Sequence, residues 1–181
     1  MNQALIGALG VALLALGASG IAWSDRDHGR ADSDRANLGA PTNARYQSEC
    51  GGCHLAYPPW LLSAAGWNQI MGNLAEHFGD DASLDPTAAA AIRNYLRANA
   101  ADRGLRARSG AATSTPGNQG LPRITQTRYF MRKHDEVPTR LVSGNPKIGS
   151  FSNCQACHGG AAKGNFDEDD VRIPGVGRWD D

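Results

Sequence analysis

All four cysteines of the 181-residue chain fall into two copies of one pattern, Cys50-Gly51-Gly52-Cys53-His54 and Cys154-Gln155-Ala156-Cys157-His158. The chemistry of this pattern is that of covalent haem: two thiols add across the vinyl groups of the porphyrin, and the adjacent histidine is held where its imidazole meets the iron. Two local disulfides or a Cys/His zinc site would use the same residue types, yet neither accounts for a histidine directly after both pairs. The pattern predicts two c-type haems. Cys50, Cys53, Cys154 and Cys157 are the attachment points, and His54 and His158 the first axial ligands.

An iron bound by one imidazole needs either a sixth protein ligand, for electron transfer, or an open position, for ligand chemistry. The inventory of candidates is short: His28, His77 and His134, and, beyond the initiator, Met71 and Met131. Trp67, Ile70, Met71, Leu74 and Phe78 recur with helical spacing, and Gly79 is placed to end that helix. His77 continues the Ile70 and Leu74 row, where a buried imidazole lacks a partner unless it binds metal. This makes it the expected second ligand of the first haem, with Met71 as core packing or a substitute. His134 stands in YFMRKHDEVP, in the segment leading to the second motif, and is the expected second ligand there. His28 is its substitute.

The elements that must position these residues follow from local signals. Residues 1–24 carry no charged side chain and read as a signal peptide, with small residues before a cleavage point near Ala22-Trp23-Ser24, or as a retained anchor. Residues 25–41 form a polar leader. A haem 1 domain is expected over 42–101: Thr42 or Asn43 caps a helix toward Cys50, Pro58-Pro59 stops it, and Asp85-Pro86 opens a second amphipathic helix through Ala88, Ile92, Tyr95 and Leu96. Residues 102–122, rich in Gly, Ser, Thr and Arg, read as a linker to a loop-rich haem 2 domain over 123–181. Asp167 to Asp170 is an acidic run, read as a solvated patch.

Composition agrees with haem-filled cores. Hydrophobic residues make up 41% and aromatic ones only 7%, so segments of about 60 residues are poorly supplied for cores of their own, and a large apolar group supplies what is missing. Eighteen basic residues balance eighteen acidic ones, which excludes nucleic-acid binding driven by general phosphate attraction. Arg93, Arg97, Arg103, Arg106 and Arg108 cluster around the second helix and linker, suited to haem propionates or an acidic partner, or simply to a solvated face.

The segments CGGCHLAYPPWLL, GWNQIMGNLAEHFGDDASLD, IRNYLRANA, RITQTRYFMRKHDEVP and NCQACHGGAAKGNFDEDDVRIPG together resemble the bacterial dihaem cytochrome c family, often associated with an oxygen-binding monohaem cytochrome and a membrane cytochrome b. The resemblance implies a periplasmic electron carrier with two bis-histidine haems, ligated by His54 and His77 and by His158 and His134. It also implies a mainly α fold with a class I cytochrome c-like N-terminal half. The expected function is single-electron transfer between redox partners, without an enzymatic reaction. The alternatives are a peroxidase- or reductase-like haem enzyme subunit and a ligand sensor, each of which needs one open iron.

Overall fold

Helix boundaries in the first half are set by side chains that satisfy the orphan N–H groups of each first turn. The structure, a computed structural model, describes residues 40–103 and 120–179; the uncharged segment 1–24, His28 and most of the linker lie outside them. Asn43 caps α1 (Ala44–Cys50), its side-chain oxygen accepting from the Tyr46 N–H at 2.8 Å. A 3₁₀ turn at Pro59–Leu61 follows, and the Ser63 hydroxyl caps α2 (Ala64–Met71) by accepting from the Gly66 N–H at 3.1 Å. Asp85 caps α3 (Pro86–Ala98) with bonds of 2.9 Å from both the Thr87 and Ala88 N–H groups, and Pro86 sits at the first position, where no N–H is needed.

Packing joins these helices. Ile92 and Leu96 of α3 meet Trp67, Ile70 and Met71 of α2, with Tyr46 and Leu62 in the same buried cluster. The Trp67 indole N–H donates to the Pro59 carbonyl at 2.6 Å, which gives the buried ring's polar atom a partner. Two bonds close the unit: the Ala101 N–H to the Leu62 carbonyl at 2.9 Å, and the Ala64 N–H to the Asp102 carboxylate at 2.8 Å. Arg93 reaches back to donate to the Met71 carbonyl at 2.8 Å, so this member of the arginine cluster ties α3 to the end of α2. Arg106 and Arg108 lie outside the described residues.

The apolar spacing predicts one helix from Trp67 to Phe78, but α2 ends at Met71. Asn73 draws its side-chain N–H to the Gln69 carbonyl at 2.7 Å, and a 3₁₀ turn at Leu74–Glu76 carries the chain onward. Phe78 and Gly79 then take φ values of 56° and 109°, and His77 and Asp80 exchange two backbone hydrogen bonds, of 2.8 and 3.1 Å. His77 therefore sits at the mouth of a tight turn rather than on a helix face.

The second half is mostly turns. A 3₁₀ turn at Ile124–Gln126 leads into α4 (Arg128–Lys133), capped by the buried Thr127, whose hydroxyl accepts from the Phe130 N–H and donates to the Ile124 carbonyl. After α5 (Thr139–Val142) come 3₁₀ turns at Cys154–Ala156, Ala161–Lys163 and Glu168–Asp170. A two-residue antiparallel hairpin, β1 (Arg172–Ile173) with β2 (Gly177–Arg178), ends the described chain. The acidic run is largely exposed, as expected of a solvated patch, and carries surface contacts: Asp167 caps its turn, Glu168 approaches Lys133 at 3.6 Å and Asp169 approaches Arg178 at 3.5 Å. Only Val142, Ile148 and Ile173 form the buried centre of this half. The fold is mainly helical with little sheet, and the buried cluster of its second half is small.

Candidate functional site

The first motif begins where α1 ends. Gly51 caps the helix, and a Cβ there would lie 2.3 Å from the Gln47 carbonyl oxygen, so a glycine lets the chain turn tightly between the two cysteines. The His54 Nδ1 lies 2.7 Å from the Leu55 carbonyl oxygen. A carbonyl can only accept, so Nδ1 carries the proton and Nε2 keeps its lone pair. Tyr57 stacks on the His54 ring at 4.9 Å. The His77 ring lies 6.1 Å from that of His54, centroid to centroid, with the planes inclined by 22°. The Nδ1 of His77 is buried without a hydrogen-bond partner, and burial together with the neighbouring His54 lowers its pKa, Asp80 acting in the opposite sense.

The second site repeats the logic with different parts. His134 terminates α4, and its Nδ1–H donates to the Phe130 carbonyl at 2.9 Å, again leaving Nε2 bare. Its ring centroid lies 6.2 Å from that of His158, with the planes inclined by 72°. Burial, reinforced by His134, pushes the His158 pKa down to about 4, so this imidazole is neutral at ordinary pH. Its Nδ1 is also buried without a partner. The Arg172 N–H donates to the Cys157 carbonyl at 3.0 Å, which pins the motif to the hairpin.

Both spacings have a chemical meaning. Imidazoles that bind one first-row metal ion from opposite sides, each at about 2.0 Å, place their ring centres about 6 Å apart. No disulfide joins the four cysteines, and before attachment burial pushes the Cys50 thiol up to about 11, with Glu49 adding to it, and the Cys154 thiol up to about 11, with a backbone hydrogen bond acting in the opposite sense and a smaller upward contribution from Cys157. Among the described residues, no group of three or more His, Cys, Asp and Glu side chains is arranged to hold a metal ion.

One cavity of about 1560 Å³ is lined by His54, His77, His134 and His158 and by Cys50, Cys53, Cys154 and Cys157. This exceeds the roughly 300–1,000 Å³ of a site for one small ligand. Trp60 lines it too, with its indole nitrogen buried and unpartnered, a donor available to a carboxylate inside the cavity.

Sequence reasoning singled out the residues that converge here, and the structure brings His54 to His77 and His134 to His158. His28 lies outside the described residues. Met71 is buried in the first core and also lines the cavity, while Met131 is 47% exposed. The aromatic frame was missed: Tyr57 on His54, Phe130 stacked on His134 at 3.9 Å, and Phe151 edge-on to both Phe130 and His134. Phe130 precedes His134 by four residues, a helical spacing that could have signalled the pair.

A mainly helical chain that arranges two CxxCH motifs around one large apolar cavity is a c-type cytochrome. It belongs to the dihaem cytochrome c family, whose model matches residues 46–166. Its solved relatives include the diheme cytochrome type c from Shewanella baltica, 51% identical over 77% of this chain and 99% of that one, with a TM-score of 0.64. A diheme cytochrome c from Rhodobacter sphaeroides is 42% identical over 70% of this chain and 98% of that one, with a TM-score of 0.58. No curated protein sequence matches. The protein carries two covalently bound c-type haems and transfers electrons to or from redox partner proteins. The paired cysteines, the bare imidazole nitrogens and the cavity's size all fit that cofactor.

Proposed function

We propose that the protein is a periplasmic single-electron carrier in which His54 and His77 ligate haem 1 and His158 and His134 ligate haem 2. The observation that carries this reading is the pair of imidazole spacings, 6.1 and 6.2 Å, each opposing a motif histidine to one from a separate turn. A bound c-type haem supplies a ferric–ferrous couple whose potential depends on its axial ligands and burial.

The chain's residues do the rest. The thiols tether covalently, which holds the motif histidines in register through every redox cycle. The carbonyls of Leu55 and Phe130 hold the Nδ1 protons of His54 and His134, fixing the tautomer that presents Nε2. Burial keeps His77, His134 and His158 neutral, so their lone pairs are not lost to protons at neutral pH. Histidine on both faces of each site excludes water and small molecules, so a change of valence needs little ligand motion. Partners dock through a small, transient interface, the monohaem cytochrome and membrane cytochrome b implied by the sequence resemblance being the proposed ones. Residues 1–24 act as the export signal, although they lie outside the described residues. Among the described residues no helix is long and apolar enough to cross a membrane.

His77→Ala should convert one low-spin haem to high spin and leave the other unchanged in absorption and EPR spectra. His134→Ala should do so for the second haem, and His28→Ala should be silent. An unchanged spectrum in either of the first two variants contradicts that assignment.

A further inference from the structure

The two sites differ in one respect that their shared ligand type hides: the imidazole planes lie 22° apart at His54 and His77 but 72° apart at His134 and His158. The His134 plane has an identifiable cause. The Phe130 ring lies parallel to it, 10° off and 3.9 Å away, while the Phe130 carbonyl holds the Nδ1–H at 2.9 Å. Phe151 stands edge-on to both rings at 89°, closing the rotation that would carry them together. At the first site the order is different: Tyr57 lies against His54 with planes 23° apart, Phe78 stands edge-on to His77 at 67°, and among the described residues no third ring is stacked in parallel on His77.

We propose that Phe130 is a positioning residue that holds the His134 imidazole across that of His158, so that the two haems are electronically inequivalent. The inference rests on the bis-histidine reading above. An imidazole donates π density perpendicular to its own plane. Near-parallel planes raise the same iron dπ orbital and split the pair, whereas crossed planes raise both orbitals almost equally and leave them nearly degenerate. A ferric low-spin hole in nearly degenerate orbitals retains orbital angular momentum and gives a much larger maximum g value.

EPR of the oxidised, full-length dihaem protein tests this directly. The expected spectrum holds two low-spin signals of equal weight, one rhombic and one with a markedly larger, broader maximum g feature. Phe130→Leu, which keeps the backbone carbonyl but removes the stacked ring, should shift the large-g feature and leave the rhombic one in place. Phe130→Tyr, which keeps the ring, should leave both in place. Two superimposable rhombic signals in the unmodified protein overturn the crossed-plane assignment, and an unmoved large-g feature in Phe130→Leu overturns the role of Phe130. A high-spin signal in the unmodified protein instead overturns the bis-histidine reading on which both rest.

Discussion

Tyr57 touches both sites. Its ring lies on His54, and its hydroxyl donates at 2.9 Å to the Ser152 carbonyl, two residues before Cys154 of the second motif. Burial, with a smaller contribution from Cys154, pushes the phenol up to about 12, so the hydroxyl remains a donor throughout the working range of pH. Tyr57→Phe keeps the stack and removes the bond between the halves. The bond is solvent-exposed, so the expected cost is about 0.5–1 kcal/mol, seen as a lower denaturation midpoint with both haems still low-spin. An unchanged midpoint would show that the halves do not depend on this bond. At this scale the reactive residues were legible, since CxxCH states its chemistry in five letters and few histidines remained for the distal positions. The aromatic partners were not, because Tyr57 and Phe151 reach their imidazoles through turns whose course no periodicity encodes.

Among the elements, α3 was the most legible. Asp85, Pro86 and the apolar spacing of Ala88, Ile92 and Leu96 all specify the same start and the same buried face. Asp85→Ala removes the acceptor of two first-turn N–H groups and should cost about 1 kcal/mol of stability. Chemical denaturation would measure that loss, and the visible spectrum should not change because Asp85 does not line the haem cavity. The end of α2 was read seven residues too late for a physical reason: Leu74 and Phe78 keep helical spacing, but a 3₁₀ turn brings Leu74 against the first core while Phe78, at positive φ, is exposed along the cavity. Phe78 at positive φ is costly for a bulky residue. Arg123 lies over its ring at 4.3 Å, a contact across the linker that supports the turn and that no local signal reveals. The hairpin at Arg172 to Arg178 was missed because strands of two residues carry no period.

For the whole molecule, a single cavity joins the two motifs, and the first core is far better supplied than the second. Haem is thus both the working part and, in the second half, a large share of the core. The balanced charge leaves partner choice to local patches, and part of the acidic run is already engaged by Lys133 and Arg178. On the bis-histidine reading proposed above, neither iron would have an open face, and that is what would make the molecule a carrier rather than an enzyme or sensor. Carbon monoxide titration of the fully reduced protein at neutral pH measures this most directly. With imidazoles on both sides of both sites, binding should be slow and far below one equivalent, because an incoming ligand must first displace a histidine held by the fold. Rapid, stoichiometric binding to one haem in undamaged protein would mean an open iron and would contradict the account.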